Sequence, residues 1–406
     1  MGVLSNNTMW ESFGLRALPC AVYGGADLGE CYTTMSRIGD SGSTEDWYRE
    51  WTHTAERLFS IARTSEDAGH LVSAREAYFR ASTYYHVSYF PLFGTPVDPR
   101  LVDAFEKETD AFQRGARLSE TPIEILEIPF EGRSLPGYFL KPDASLRPRP
   151  TILHLDGYDG SINEMYFANG PAAMSRGYNC LLLDGPGQGR NLIRDHMPFR
   201  HDWETVVRSA VDFLLTRSDV DPSRIVLAGG SFGGYLAPRA AAFEKRIAAL
   251  IADPGLWDQK PDLKAFGISE QVVSSPQEAN RALYSQLEQK VRSREVDPML
   301  HWKIVQRGLW VHGVNSLFDL VQELNRFEIS PFADQIECPT LLTTSEGDPL
   351  GLQAERLFNA LRCPKSLIRF SAAEGANGHC ELFGRRLYHQ RVFDWLDETL
   401  GITKMV

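Results

Sequence analysis

A doubly wound, mostly parallel α/β sheet preceded by a block of helices is the fold class that the sequence predicts. From Asp46 to about Leu118 the apolar residues lie three and four apart, which is typical of amphipathic helices. After Thr121 short β-rich runs alternate with helical stretches, and successive strand–helix–strand units indicate a parallel sheet. The chain has 406 residues, more than one ordinary domain, so we expect two parts.

The first part is predicted to be a helical domain over residues 1–120. Gly69 separates its first two long helices, and the break from Gly94 to Pro99 precedes the third; the three are WYREWTHTAERLFSIA, VSAREAYFRASTYYHV and LVDAFEKETDAFQRGARL. We expect a cap over a functional site, because such a block must pack somewhere and access loops lie on one side of the sheet. A purely stabilising helical domain is the alternative.

The second part is predicted to be the sheet domain, over residues 121–406. It begins with a hairpin that turns at Glu131 and Gly132, and the expected strands are IEILEIPF, RSLPGYFLKP, TILHLDGYDG, YNCLLLDGPGQG, RIVLAGGS, IAALIAD, CPTLLTTSEGD and SLIRFS. Helices are expected between the later strands, and the helix YHQRVFDWLDETL follows the last one. A helical insertion over 259–332 precedes CPTLLTTSEGD.

Composition excludes several kinds of partner. The net charge of −11 opposes binding to nucleic acids and to anionic membranes. No basic leader followed by an apolar core and no membrane-spanning apolar run is found, which predicts a cytoplasmic protein. The six cysteines lack C-x-x-C spacing and the histidines lack H-E-x-x-H spacing, so we expect neither a metal nor a cofactor. The expected partner is a small molecule.

Ser231 is the predicted nucleophile. It lies at the centre of a G-x-S-x-G motif, Gly229 to Gly233, between the apolar strand RIVLA and a predicted helix. A sharp strand-to-helix turn needs small residues on both sides and lifts the hydroxyl out of the sheet. The alternative is a serine that caps the helix it precedes.

His379 is the predicted general base. A serine hydroxyl needs an imidazole to accept its proton, and His379 follows the last strand in a Gly-rich loop, as the chain order Ser, acid, His requires. A surface or capping histidine is the alternative. His389, within the last helix, is interpreted as a solvated face residue.

Asp348 is the predicted acid, and Glu346 is the reserve. Both follow the strand TLLTTS, but Asp348 lies slightly beyond the strand, where its carboxylate can reach the histidine ring. An Asp-Pro turn with no catalytic role is the alternative for Asp348.

Two backbone N–H groups are expected to bind the oxyanion of a tetrahedral intermediate. One belongs to Phe232, directly after the nucleophile, and the other to the loop LDGYDG, at Tyr158 with Gly157 permitting a close approach. The nearby DGPGQG segment lacks the G-x-G-x-x-G pattern and a following lysine, so it is interpreted as a structural turn near the site that binds no nucleotide.

These motifs together resemble one branch of the α/β-hydrolases. The segments LLLDGPGQGR, GGSFGGYLAPRAAAFEKRI and the late EGDP and NGHC loops are similar to those of 2,6-dihydroxypseudooxynicotine hydrolases and of fungal hydrolases that shorten or modify polyketides in pigment pathways. The resemblance implies an α/β-hydrolase fold and cleavage of a carbon–carbon bond next to a ketone, or of an ester or thioester. Some relatives cyclise instead. It also suggests a homodimer, which no residue pattern indicates.

Aromatic residues of the helical domain and the insertion are candidates for a substrate pocket. Tyr84, Tyr85, Tyr158 and Trp257 are the residues proposed to line it, for a flat or polyketide-like substrate. Helix core is the alternative for the two helical tyrosines, and packing for Tyr158.

Other functions remain open at the level of the sequence. The elbow also occurs in acylaminoacyl peptidases, but there the expected N-terminal partner is a β-propeller, whereas this N-terminal region is helical. A catalytically silent binding module on a hydrolase fold is the non-enzymatic alternative, although such modules typically lose members of the triad.

Overall fold

The computed structural model describes residues 2–402, and its N-terminal region is helical. Asn7 caps the first helix, a capping box of Ser43 and Asp46 begins the third, and Gly69, with a φ of 78°, follows it. The helices are α1 (Thr8–Gly14), α2 (Leu28–Ile38), α3 (Thr44–Asp67), α4 (Leu71–Ser88) and α5 (Pro99–Arg117), with 3₁₀ turns at Leu18–Tyr23 and Phe90–Leu92. The three long helices lie where the apolar spacing predicts them.

Strands begin after the fifth helix. Glu131 and Gly132, with φ values of 46° and 77°, form the tight turn of the opening hairpin, as predicted. The elements of this region are β1 (Ile123–Phe130), β2 (Arg133–Leu140), β3 (Arg149–Leu155), α6 (Ile162–Met174), β4 (Asn179–Leu183), α7 (Gly189–Ile193), α8 (Glu204–Leu214), β5 (Val220–Gly230), α9 (Gly233–Phe243) and β6 (Ala249–Asp253).

A helical insertion separates the sixth strand from the last two. Its helices are α10 (Glu270–Ser274), α11 (Arg281–Arg292), α12 (Pro298–His301), a π-helical segment (Trp302–Gly308), α13 (Leu309–His312) and α14 (Leu317–Leu324), with 3₁₀ turns at Lys264–Phe266 and Glu278–Asn280. The chain ends with β7 (Thr340–Ser345), α15 (Ala354–Ala360), β8 (Lys365–Phe370) and α16 (Arg385–Leu400), with 3₁₀ turns at Ala333–Gln335, Leu350–Gln353, Ala372–Glu374 and His379–Glu381.

The eight strands form one sheet in the order β1-β2-β4-β3-β5-β6-β7-β8. The β1–β2 and β2–β4 pairs are antiparallel, and the five pairs from β4–β3 to β7–β8 are parallel. The predicted doubly wound, mostly parallel sheet with helical N-terminal region is therefore confirmed. Because the parallel strands share one direction, their carboxyl ends meet at a single edge, where binding loops collect.

The chain divides into two compact units. We call the first the helical unit; it comprises residues up to Glu120, Leu192–Phe199 and Lys260–Leu324. The second, the sheet unit, comprises Thr121–Asn191, Arg200–Gln259 and the chain from Asn325 onward. Most of the insertion predicted over 259–332 therefore groups with the N-terminal helices. The predicted role of residues 1–120 as a cap stays a prediction.

Long-range contacts build the helical unit. The Trp302 indole N–H donates to the Phe90 carbonyl at 2.7 Å, and the Trp302 ring stacks on Phe93 at 5.5 Å between centroids. The fully buried Trp47 and Trp51 continue this aromatic core along α3. Among the helices that the structure describes, none is both long and apolar enough to cross a membrane.

Candidate active site

Ser231 occupies a strained turn between β5 and α9. Its φ is 56°, in the left-handed region that residues with side chains rarely adopt, and its N–H donates to the Asp253 carbonyl at 2.7 Å. A Cβ atom at Gly229 would lie only 2.1 Å from the Gly233 carbonyl oxygen, so the turn closes only without a side chain there. The strand, turn and helix thus hold the Ser231 hydroxyl at the carboxyl edge of the sheet.

Ser231, His379 and Asp348 are linked by two hydrogen-bonding contacts. His379 Nε2 is 2.7 Å from Ser231 Oγ, and His379 Nδ1 is 2.8 Å from Asp348 Oδ2. The second Asp348 oxygen accepts the Leu350 N–H at 3.0 Å, which fixes the carboxylate. A buried acid, an imidazole and a hydroxyl therefore form one continuous hydrogen-bonded series.

Glu346, the reserve acid, is directed elsewhere. Its carboxylate accepts the Ala372 N–H at 2.8 Å, and its carbonyl accepts the Gly378 N–H at 2.9 Å. The backbone of Glu346 thus supports the loop that carries His379, while the carboxylate nearest the imidazole is that of Asp348.

The electrostatic surroundings of His379 favour its protonated form. Removal from water lowers the pKa of His379, but the hydrogen bond and charge of Asp348, with smaller contributions from Asp253 and Asp159, together outweigh this effect, so the pKa is raised. The side chain keeps 43% of its surface exposed. The ring is therefore suited to accept a proton from a hydroxyl on its accessible side.

The two loops predicted to bind an oxyanion lie together beside Ser231. A Cβ atom at Gly157 would be 2.8 Å from Ser231 Cβ and 3.1 Å from its Oγ, so only glycine permits this approach. The Tyr158 ring packs on the Phe232 ring with centroids 5.0 Å apart. The Gly157 N–H donates to Asp156 Oδ1 at 2.6 Å, so this group is engaged within the loop, and the oxyanion role of Tyr158 and Phe232 stays a prediction.

The predicted pocket residues are divided between the two units. Tyr84 and Tyr85 are buried in the helical unit, where the Tyr84 hydroxyl donates to Glu30 at 2.8 Å. Trp257 lies in the sheet unit rather than in the insertion, and its backbone N–H donates to the Gln353 side-chain oxygen at 2.7 Å. A role for these residues in binding substrate stays a prediction.

Sequence reasoning missed a buried polar layer next to the candidate residues. Asp253 Oδ1 accepts the Thr343 hydroxyl at 2.8 Å, and Asp253 Oδ2 lies 3.3 Å from Arg385 Nη1. The same Arg385 nitrogen donates to the Cys380 carbonyl at 2.8 Å, next to His379. Asp253 ends the strand IAALIAD at the same edge as Asp348, and this position was the available signal.

The interpretation of His389 as a solvated residue is wrong. His389 is 1% exposed, and its Nε2 lies 2.8 Å from the Ala168 carbonyl oxygen. Burial, and then the charge of Arg385, lower the pKa of His389 well below the ordinary value, so the ring is neutral. The residue is buried because it lies on the apolar stripe of α16 with Val392 and Phe393, at helical spacing.

No group of three or more His, Cys, Asp or Glu side chains within residues 2–402 is arranged to hold a metal ion.

Comparison with known families gives two matches. The sequence-family model described as "Alpha/beta hydrolase family" matches residues 157–383. The family model described as "Esterase FrsA-like" matches residues 36–255. The first match includes the candidate residues Ser231, Asp348 and His379.

Curated relatives match over nearly their whole length. Hydrolase LUC6 of Fusarium sp is 31% identical over 412 residues, covering 96% of both chains. The 20-hydroxy-prefusarin hydrolase FUS2 of Gibberella moniliformis is 31% identical over 414 residues, covering 97% of this chain and 96% of the relative.

Solved structures share the fold. The 2,6-dihydroxy-pseudo-oxynicotine hydrolase superposes with a TM-score of 0.73 at 21% identity, covering 96% of this chain and 97% of the other. The protein AbyA5 superposes with a TM-score of 0.61 at 17% identity, covering 93% and 94%. The resemblance drawn from the sequence motifs is confirmed.

Proposed function

Since the chain belongs to the alpha/beta hydrolase family, we propose that it is a serine hydrolase that cleaves a carbon–carbon bond next to a ketone, or an ester or thioester, in a polyketide-like or aromatic secondary metabolite. Ser231 is the nucleophile, His379 the general base and acid, and Asp348 the orienting acid. One observation carries the proposal: His379 bridges the other two, at 2.7 Å from Ser231 Oγ and 2.8 Å from Asp348 Oδ2.

The first half of the reaction forms an acyl-enzyme. Ser231 Oγ attacks the substrate carbonyl while its proton passes to His379 Nε2. The carbonyl oxygen becomes an oxyanion, which the backbone N–H groups of Phe232 and Tyr158 stabilise. When the tetrahedral intermediate collapses, the bond to the leaving group breaks, and His379 returns the proton to the departing enolate carbon, alkoxide or thiolate.

The second half releases the acid. His379 takes a proton from water, the hydroxide attacks the acyl carbon, and the Ser231–acyl bond breaks with return of the proton to Ser231 Oγ. Asp348 holds the imidazole in the tautomer that presents Nε2 to the hydroxyl and stabilises the imidazolium formed in each half-reaction.

Carbon–carbon cleavage and ester hydrolysis use the same residues, and the leaving group decides between them. An enolate must be protonated on carbon, so the acid has to reach that atom, whereas an alkoxide accepts a proton on the oxygen where the bond broke. The match to an "Esterase FrsA-like" model over residues 36–255 favours esterase activity as the second candidate.

The substrate class rests on the relatives. A protein named 20-hydroxy-prefusarin hydrolase matches this chain over 96% of its own length. Three of the four segments that resemble fungal polyketide-modifying hydrolases carry Ser231, Asp348 and His379. In the sheet unit, Tyr158 and Trp257 are the aromatic residues that we propose contact such a substrate.

The proposal is tested with purified wild-type protein and the Ser231→Ala variant, each incubated with one aryl β-diketone and one short aryl ester. Products are followed by mass spectrometry, and a fluorophosphonate probe reports whether Ser231 reacts. Ser223→Ala is the matched control, because Ser223 lies on the same strand, is exposed, and its hydroxyl donates to Asp221. We expect Ser231→Ala to lose at least about 10⁴-fold in kcat.

Each outcome decides between the candidates. Cleavage of the diketone at least as fast as the ester supports the carbon–carbon hydrolase, and cleavage of the ester alone makes the protein an esterase. Equal turnover by wild type and Ser231→Ala overturns the assignment of the nucleophile. An absence of both turnover and fluorophosphonate labelling supports a catalytically silent binding module.

A further inference from the structure

The DGPGQG turn after β4 holds the loop that carries the proposed oxyanion donor. Gln188 Nε2 donates to the Asp156 carbonyl at 2.9 Å and to the Gly157 carbonyl at 2.7 Å. We propose that Gln188 is a positioning residue for the reaction, which aims the Tyr158 N–H at the oxyanion on the carbon that Ser231 attacks. The inference rests on the proposed function and adds to it a residue that touches neither substrate nor nucleophile.

The orientation of the Gln188 amide is fixed on both sides. Its Oε1 accepts the Gly185 N–H at 2.9 Å, while its two N–H bonds are used by the two loop carbonyls. The side chain is 1% exposed, so water does not compete for these bonds. Rotation of the amide by 180° would set its oxygen against two carbonyl oxygens, and this orientation is therefore excluded.

Because a peptide unit is planar, the bond from Gln188 to the Gly157 carbonyl also fixes the direction of the Tyr158 N–H. In a trans peptide the C=O and the N–H of one unit point in opposite directions. Gln188 binds the C=O of the Gly157–Tyr158 peptide, so the Tyr158 N–H of the same unit points away from Gln188. Gly157 itself lies against Ser231, since a Cβ there would be 3.1 Å from Ser231 Oγ.

The Asp156–Gly157 peptide is held by Gln188 in the same way, but its N–H is bound by a side chain. Gln188 also binds the Asp156 carbonyl, and the Gly157 N–H on the opposite side of that unit is bound by Asp156 Oδ1 at 2.6 Å. The Asp156 carboxylate thus binds the Gly157 N–H, one of the two N–H groups in this loop that the sequence predicted as oxyanion donors. The Tyr158 N–H, which we propose as the donor, belongs to the peptide whose carbonyl Gln188 binds.

Sheet order explains why this turn can reach the loop. β3 and β4 are parallel neighbours, so the segments after Leu155 and after Leu183 leave the sheet side by side. A second buried amide anchors the turn on its other side, where Asn191 Nδ2 donates to the Asp184 carbonyl at 2.8 Å. Asn191 offers a matched control, because its bond stabilises the same turn without reaching the 156–157 carbonyls.

The test compares Gln188→Met with Asn191→Leu in the full-length protein. Each change keeps the approximate volume of the side chain and removes a buried amide. Three quantities are measured: kcat and KM for Ser231-dependent hydrolysis of a short aryl ester, the Kd of phenylboronic acid, whose tetrahedral adduct with Ser231 carries the charge of the oxyanion, and Tm.

We expect Gln188→Met to lower kcat by about 10- to 100-fold, the range for a catalytic group displaced by about 1 Å. KM should change by less than about threefold, and the boronate should bind weaker by the same factor as kcat falls, because only the tetrahedral state uses this donor. Asn191→Leu should lower Tm to a similar extent while kcat stays within about threefold of wild type.

Two results would overturn the inference while leaving the proposed function intact. One is Gln188→Met with wild-type kcat and boronate affinity, and the other is an equal loss of kcat in both variants, which would indicate a purely structural turn. If the wild type shows no Ser231-dependent turnover and binds no boronate, the proposed function fails, and the inference fails with it.

Discussion

The helical unit and the sheet unit each contain a carboxylate, an imidazole and a hydroxyl joined by hydrogen bonds, but the two trios are connected differently. In the helical unit the Tyr89 hydroxyl donates to Glu108 Oε2 at 2.6 Å. His86 Nδ1 lies 2.6 Å from the Tyr89 oxygen and 3.2 Å from the same Glu108 oxygen. The three groups form a closed triangle around one ring nitrogen.

The trio of the sheet unit is an open chain. Asp348 and Ser231 lie at opposite nitrogens of His379, so a proton can arrive at Nε2 while Nδ1–H stays bound to the acid. In the triangle the carboxylate already accepts the hydroxyl proton, and both groups lie at the same ring nitrogen, so the ring does not bridge them through opposite nitrogens. The arrangement of the nitrogens, rather than the set of residue types, distinguishes a candidate for catalysis from a structural cluster.

Burial separates the trios further. Glu108 is 0% exposed, and His86 and Tyr89 are 2% exposed, whereas His379 keeps 43% of its side-chain surface. A substrate carbonyl must reach the hydroxyl for acyl transfer, so we expect the open, accessible trio to control kinetics. The closed, buried trio should control stability.

Among the substitutions of acidic residues in the two trios, Asp348→Asn is expected to have the largest effect on kinetics. An amide keeps the size of the side chain but presents the wrong hydrogen-bonding group to His379, so kcat/KM should fall by about 10³- to 10⁴-fold. Glu346→Gln is the matched control, because its carboxylate binds the Ala372 N–H instead, and we expect less than a threefold change, roughly the scatter between variants. If Glu346→Gln lost more kcat/KM than Asp348→Asn, Glu346 and not Asp348 would be the acid.

In the helical unit, Glu108→Leu should reduce stability while leaving the kinetics of folded protein unchanged. The change removes the acceptor of the Tyr89 hydroxyl inside a dry core, which should cost about 2–4 kcal/mol in the free energy of unfolding. Chemical unfolding measures this cost, and active-site titration corrects kcat for folded enzyme.

Glu106→Ala on the same helix is the control for Glu108→Leu. Glu106 is about half exposed, and its ion pair with Arg194 at 3.0 Å should contribute less than about 1 kcal/mol. A large loss of kcat per folded site in Glu108→Leu, with Glu106→Ala normal, would contradict the division between the two trios.

The pH dependence of catalysis should report on His379. His379 accepts a proton only when neutral, and Asp348 holds its pKa above that of an ordinary histidine. Wild-type kcat/KM should therefore rise with pH and reach its plateau at a higher pH than an ordinary histidine would give. In Asp348→Asn the charge is lost while the effect of burial remains, so this limb should move to lower pH. If kcat/KM rises over the same pH range in both proteins, a group other than His379 controls this rise.

The smallest expected effects come from deleting the two hydroxyls. Tyr89→Phe removes a buried donor to Glu108 and should cost about 1 kcal/mol of stability. Ser231→Ala should change stability by less than about 0.5 kcal/mol, because the Ser231 hydroxyl lies at an accessible site. Thermal unfolding of the two variants side by side measures this difference in stability. A larger loss of stability in Ser231→Ala than in Tyr89→Phe would contradict the expectation.

Short-range patterns made much of the sheet unit predictable. The hairpin at Glu131, the strands and the elbow around Ser231 follow from residues adjacent in sequence, since a strand–turn–helix is a local structure. The position of His379 after the last strand follows from chain order alone. The proximity of Asp348, rather than Glu346, to the imidazole was predicted from its distance beyond the end of the strand.

Contacts between distant segments could not be predicted in this way. The bond from Gln188 to Gly157 depends on β4 lying next to β3, which the strand pattern does not specify. The burial of His389 was within reach, because helical spacing places it with Val392 and Phe393, but this surface of α16 was interpreted from polarity alone. The grouping of 260–324 with the N-terminal helices follows from tertiary packing only.

The discontinuous helical unit has a consequence for synthesis on the ribosome. Trp302, whose indole N–H binds the Phe90 carbonyl, follows that residue by 212 positions. At translation rates of about 5–20 residues per second, Phe90 is made roughly 10–40 s before its partner. During that interval the whole nucleophile elbow is synthesised, while the aromatic core around Phe90 still lacks Trp302. A nascent chain that ends before Trp302 therefore lacks part of this aromatic core, and transiently exposed apolar surface of this kind is prone to aggregation.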